Sequence, residues 1–202
     1  MQKFRYFCTI FRYTPIMLNP FAKKFTPKER SLFKFLRQTE IFYDLDDDEL
    51  YEILPYLHLR KYAQNEVIFF RNDPSQALYL IKNGTVMLNM DIQDKFVPLM
   101  PIHTGSYFGD DALVEGSVRK YTAVSMSEAC EVYVIPQVSL LDIFEDDLQI
   151  KAKVYEAFAR EQNRYLAAIF KHYRDSFGFF DLGQAYQSVQ REVSEYPLPP
   201  QS

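Results

Sequence analysis

The chain has 202 residues, 48% apolar, 16% aromatic and 25% charged, enough for one sizeable core with appendages. Its two cysteines, Cys8 and Cys130, stand far apart without metal-ligand spacing, and no apolar run reaches the ~18 residues of a membrane helix. With a formal net charge of −4, the composition argues against a disulfide framework, a zinc site, a transmembrane segment and a body built to cover nucleic-acid phosphates.

The charge is unevenly spread. Residues 1–30 hold seven cations (Lys3, Arg5, Arg12, Lys23, Lys24, Lys28, Arg30) against Glu29 alone, so the rest of the chain is acidic. A basic, aromatic start suits contact with a partner or an anionic surface, and equally a solvated terminus. Lys3, Arg5 and Arg12 interrupt its apolar residues, unlike the unbroken core of a signal peptide. A cytoplasmic protein is expected.

TPKERSLFKFLRQ, Thr26–Gln38, predicts a helix. Thr26 can cap, Pro27 fits the first helical position, and Glu29 lies three residues after the cap. LDDDEL starts a second helix from Asp46, with Glu49 reaching back and Pro55 limiting it to about two turns. From His58 to Pro136 the period changes. KYAQNEVIFF, ALYLI, TVMLNMDI, FVPLMPI, YTAVSM and EVYVI are rich in β-branched and aromatic residues. Turn signals at Asn72-Asp73-Pro74, Asn83-Gly84, Gly105-Ser106 and Gly116-Ser117 separate them. This spacing predicts a β-sandwich or barrel of about eight strands.

Helical character returns at VSLLDIFEDD and runs on through DLQIKAKVYEAFAREQNRYLAAIFKHYRDSF. Val154, Phe158, Tyr165, Ile169 and Tyr173 make its apolar face, with Gln162 as a polar interruption. DLGQAYQSVQ reads as a short further helix and EYPLPPQS as an extended tail. The expected organisation is a basic aromatic segment (1–25), N-terminal helices (26–57), a β-roll (58–136), C-terminal helices (137–178), and a short helix with a proline-rich tail (179–202).

The densest chemistry lies in YFGDDALVEGSVRKYTA, Tyr107–Ala123. Gly105 and Gly109 allow backbone conformations closed to other residues and close approach of a ligand. Asp110, Asp111, Ala112 and Leu113 predict a short helix whose free N–H groups offer an anion site. Arg119, expected on the following strand, has a planar fork suited to phosphate oxygens. Asp110 is a carboxylate acceptor. An acceptor beside an anion cradle suits a hydroxyl next to a phosphate, as in a ribose phosphate.

GSYFGDDALVEGSVRKYTA resembles the phosphate-binding cassette of cyclic nucleotide-binding domains, G-x-x-F-G-E-x-A-L, a gap, then R-x-A-[TS]. Gly105, Phe108, Gly109, Ala112, Leu113, Arg119 and Thr122 match it, and Asp110 stands where the family has Glu. Upstream, Tyr79, Ile81, Gly84 and Val86 fit the family's Y-x-I-x-x-G-x-V. The resemblance covers about residues 28–175 and implies an eight-stranded, jelly-roll-like double-stranded β-helix flanked by helices, of the Crp/Fnr and protein kinase A regulatory kind. It implies a cAMP or cGMP ligand held by Phe108, Gly109, Asp110, Asp111, Ala112, Leu113, Arg119, Lys120, Tyr121 and Thr122. In that family the acid holds the ribose 2′-hydroxyl, the Arg holds the phosphate, and the following helix closes over the base. Here Asp111 replaces an apolar residue, Lys120 a small or hydroxylic one, and Tyr121 a small one. On a strand Tyr121 would share a face with Arg119, turning its phenol toward the ligand.

Other readings stay open. Arg119 paired with Asp110 or Asp111 in an empty roll would make a nucleotide-independent interaction module. A metal-binding roll needs converging ligands, whereas His58, His103 and His172 are scattered and an Asp110, Asp111, Glu115 site leaves Arg119 unexplained; no metal or cofactor is expected. Residues 177–202 are too short, too proline-rich and too nearly neutral to supply a DNA-reading helix. No nucleophile–base pair or Walker loop points to an enzyme. The remaining expected partners are an unknown effector protein and a second copy packed along helix 148–177.

Overall fold

The computed structural model describes residues 24–92 and 95–177, together with Gly183 and Gln187. The basic segment before residue 24 and the proline-rich tail lie outside the described residues. The short helix expected at 181–190 does too, apart from Gly183 and Gln187, which are helical.

Helix α1, Pro27–Leu36, begins at the expected capping box. The Glu29 N–H donates to Thr26 Oγ1 at 3.3 Å, and the Thr26 N–H donates to the Glu29 carboxylate at 2.6 Å. Its face buries Phe33 and Leu36. Helix α2, Asp47–Ile53, starts in the same way from Asp46 and Glu49, and a 3-10 turn at Leu54–Tyr56 containing Pro55 ends it. Glu49 also accepts Lys153 Nζ at 2.6 and 2.7 Å, tying this first turn to the C-terminal helix.

Eight strands follow among the described residues: β1 His58–Tyr62, β2 Val67–Phe69, β3 Ala77–Asn83, β4 Thr85–Ile92, β5 Lys95–His103, β6 Tyr107–Phe108, β7 Thr122–Ser125 and β8 Cys130–Pro136. They form two four-stranded antiparallel sheets, ordered β1-β8-β3-β6 and β2-β7-β4-β5. This is the β-roll the sequence implies. The segment KYAQNEVIFF is not one strand but parts of two, broken at Asn65, whose φ of 64° is left-handed. Asn tolerates that conformation because its short side chain can bond locally.

Strand β3 shows why the roll needs helices outside it. Leu78 and Leu80 point to one core, with Phe33, Leu36, Phe42, Leu50, Phe144 and Val154. Ile81 points to the other, inside the roll, with Phe69, Val86, Leu88, Phe108 and Val132, and Tyr79 packs against it. A strand buried on both faces reads as the continuous apolar run ALYLI rather than an alternation.

Helix α3, Gln137–Asp146, leads into α4, Leu148–Phe177. Asp147 accepts the N–H groups of Gln149 and Ile150 and so caps α4. The expected apolar face divides in two: Val154 is fully buried, while Tyr165 and Ile169 are 46% and 61% exposed. The first half of α4 belongs to the core and the second half to a surface.

Candidate ligand site

The cassette lies where β6 turns into a 3-10 helix, Asp110–Leu113, and returns toward β7. Gly109 caps that helix with φ 76°, a conformation glycine adopts without strain. The space is equally demanding. A Cβ on Gly109 would sit 2.7 Å from Arg119 Nη1 and 3.2 Å from the Ala77 carbonyl oxygen.

Arg119 departs from expectation in place and direction. It precedes β7 rather than lying on a strand, and its side chain is 1% exposed. Nη1 donates to the Gly109 carbonyl at 3.1 Å and Nη2 to the Ala77 carbonyl at 2.7 Å. The guanidinium lies 4.2 Å from the Phe69 ring centroid and 5.4 Å from that of Tyr79. It faces a cavity with Phe69, Asp73, Gln76 and Tyr79, of about 290 Å³.

Tyr121 also packs on Phe69, 5.8 Å between ring centroids, and turns its hydroxyl to the other polar group of Gly109. Its hydroxyl accepts the Gly109 N–H at 2.9 Å and lies 3.4 Å from Asp110 Oδ1, as its donor. The second oxygen of Asp110 accepts Gln162 Nε2 from α4 at 3.0 Å. Burial pushes the Tyr121 phenol above its ordinary value and the Asp110 charge adds to the effect, keeping the phenol protonated and able to donate.

Asp111 is the cassette's buried charge, its side chain 0% exposed. It lies 3.3 Å from Lys120 Nζ and 3.7 Å from Arg119 Nη1. Neither carboxylate oxygen makes a hydrogen bond. Burial raises its pKa first, Asp110 second, against the lowering pull of Lys120 and Arg119. Lys120, on an exposed stem, thus offsets the charge of Asp111.

A cleft of about 330 Å³ opens beside this turn. It is lined by Asp110, Lys120 and Tyr121 from the cassette, Leu88, Met100 and Ile102 from the roll, and Gln162 and Tyr165 from α4. Phe108 lines it too and stacks on Tyr79 at 5.0 Å. Arg119 does not line it. Ala112, Leu113 and Thr122 are fully buried. Their polar atoms brace the turn: the Ala112 carbonyl accepts Gln137, the Leu113 carbonyl accepts the Tyr155 hydroxyl, and Thr122 Oγ1 accepts the Arg71 N–H.

Contacts from α4 are what the sequence left unseen. Gln162 read as a break in an apolar stripe but is the helix's bond to Asp110. The Tyr107 hydroxyl donates to Glu161, whose pKa is raised by burial and then by Glu40, against Arg164. No cluster of three metal-ligating side chains occurs among the described residues, and no helix there is long and apolar enough to cross a membrane.

Residues 59–147 match the family described as Cyclic nucleotide-binding domain. The transcriptional regulator LdrP of Thermus thermophilus is 33% identical over 72 residues, which are 35% of this chain and 36% of that protein. The chain therefore spans about a third of that relative's length. The Thermus thermophilus Catabolite Activator Protein superposes with a TM-score of 0.57 at 25% identity, over 66% of this chain and 61% of that one. The regulatory domain of Toxoplasma gondii PKA with cAMP gives a TM-score of 0.54 at 22% identity, over 60% of this chain and 46% of that one, and shares the fold.

Gly109→Ala combines a left-handed backbone with a Cβ against Arg119 and a carbonyl, so it should lower stability by about 3 kcal/mol in chemical denaturation. A loss under about 0.5 kcal/mol would mean that neither constraint holds. For Asp111 the folded pKa is raised. Its stabilising contribution is therefore complete below the ordinary aspartate value and lost as pH climbs through the raised one. Asp111→Asn removes that loss, so the variant's stability relative to wild type should increase from pH 4 to pH 7. A pH-independent difference would contradict it.

Proposed function

We propose that residues 59–147, which match the cyclic nucleotide-binding domain family, make the chain a regulatory module whose ligand is a cyclic nucleotide, cAMP or cGMP, bound in the cleft between the cassette and α4. One observation carries the proposal: a single cavity brings Asp110, Lys120 and Tyr121 of the cassette together with Gln162 and Tyr165 of the helix that follows the roll. A ligand seated there touches the sensing turn and the output element at once. In this reading Asp110 receives the ribose hydroxyl, and the Gly109 N–H, Lys120 and a re-aimed Arg119 receive the phosphate. Differential affinity of the ligand for two positions of α4 transmits the signal to an effector protein. The role is regulatory and assigns no catalytic step.

A second reading rests on a specific contact. The Gly109 N–H and the Arg119 guanidinium are both bonded to the chain's own atoms. A cradle satisfied in this way also suits a nucleotide-independent module that acts through its surfaces.

Melting the protein with millimolar cAMP, cGMP or AMP separates the two. A cyclic nucleotide at 100-fold its Kd should raise the Tm by about 5–10 °C. AMP should do less, and Arg119→Ala should lose the shift relative to its own ligand-free melt. A wild-type Tm that no cyclic nucleotide moves rejects the nucleotide and leaves the second reading.

The outer half of α4 exposes Tyr165, Leu166 and Ile169, an apolar surface that a second copy of the chain would cover. Light scattering should then give a dimer mass that Ile169→Glu reduces to that of a monomer. A wild-type monomer at tens of micromolar would reject this pairing.

A further inference from the structure

Taking the cleft as a nucleotide site, as proposed above, we infer that Tyr121 is its gate: the phenol occupies the phosphate position from within and must leave before a ligand enters. Besides Lys120, the cassette has two polar groups for a ligand, the Asp110 carboxylate at the cleft and the Gly109 N–H behind the Tyr121 hydroxyl. Both are already bonded. The Tyr121 hydroxyl accepts the N–H at 2.9 Å and reaches Asp110 Oδ1 at 3.4 Å, while Gln162 Nε2 donates to Asp110 Oδ2 at 3.0 Å. The ring is wedged against Phe69, 5.8 Å between centroids, and is half-buried.

These bonds form one chain, Gly109 to Tyr121 to Asp110 to Gln162, that ends on α4. A phosphate oxygen that takes the Gly109 N–H must displace the phenol hydroxyl, because that N–H has one proton to give. A hydroxyl that takes Asp110 competes with Tyr121 and Gln162. Ligand entry therefore displaces the phenol first and then competes at Asp110, whose other oxygen accepts one of the bonds that hold α4 to the cassette. The ligand's apparent affinity is lowered by the fraction of molecules in which the phenol is in place. The residue sets the nucleotide concentration at which the module answers, and it couples that answer to the helix.

A packing role alone would predict otherwise. Tyr121 as a wedge against Phe69 needs only its ring, and Phe would serve. Tyr121 as a gate needs the hydroxyl as well.

Isothermal titration of cAMP and cGMP into wild type, Tyr121→Phe and Tyr121→Ala tests this, with a cooperative melt of each variant as proof of folding. Tyr121→Ala should bind at least about tenfold tighter than wild type, the effect of removing one hydrogen-bonded competitor. Tyr121→Phe, which keeps the ring, should fall between the two. Wild type silent while Tyr121→Ala binds would support the gate and reject the nucleotide as a ligand of the natural chain. Equal or weaker binding in Tyr121→Ala, with wild type binding, overturns the gate and leaves the nucleotide reading standing. No binding in any of the three overturns both. Should Tyr121→Ala fail to fold, Tyr121→Phe decides alone: affinity at or below that of wild type rejects the gate.

Discussion

The buried guanidinium of Arg119 organises this structure. A full positive charge with almost no exposure survives only because carbonyl oxygens from two separate elements accept its protons. One is on Gly109 at the cassette turn and the other on Ala77 at the start of β3. Stacked on Phe69 of β2, the side chain joins three strands' ends at one point. Gly109 must then be glycine, since the guanidinium occupies the space of its Cβ. Asp111 must be tolerated although buried, since it supplies the nearest anion. Removing one partner of a buried charge typically costs about 3–5 kcal/mol, so the turn's backbone, its glycine and its acid are held as a set.

That arrangement frees the cleft side of the turn for another occupant. With Arg119 drawn against Phe69 and Tyr79 in the roll, the Gly109 N–H points into space that a small residue two places after the Arg would leave empty. Tyr121 fills it with a group that is at once acceptor, donor and apolar wall. A phenol kept protonated by its surroundings does what water or ligand would otherwise do. A buried N–H without an acceptor would lose about 1–3 kcal/mol, so the tyrosine stabilises an unliganded roll as well as closing it.

Much of this could be read from the residue order. The capping boxes at Thr26–Glu29 and Asp46–Glu49 appear as written, because each is a local exchange of two hydrogen bonds between residues three apart. A sandwich or barrel of about eight strands was legible from the β-branched runs and turn residues, and the roll and its cassette from the resemblance to the family's pattern. What escaped were features that depend on distant chain. The break of the first strand-rich segment turns on Asn65 adopting a left-handed φ, and the β6 strand of two residues is too short to alternate. The direction of Arg119 is decided by the Ala77 carbonyl, 42 positions earlier, and the bond from Gln162 reaches back 52 positions. Periodicity ranks Gln162 as a flaw in an apolar stripe because it counts faces and cannot see what lies opposite.

The division of α4 shows how such a flaw becomes a device. Up to Ala157 the helix is built into the core through Ile150, Val154 and Ala157, and Lys153 fixes it to Glu49. Beyond that, Phe158 still packs against the core and polar contacts follow. Arg160 reaches Asp44, Glu161 accepts the Tyr107 hydroxyl, Gln162 donates to Asp110 and Arg164 pairs with Glu40. Arg160–Asp44 and Arg164–Glu40 are exposed ion pairs, which contribute little each, whereas the bonds at Glu161 and Gln162 are partly buried. The apolar residues Tyr165 and Ile169 lie on this outer half and line the cleft. The polar interruption at Gln162, beyond the core-packed part of the helix, puts a bond to the cassette among them.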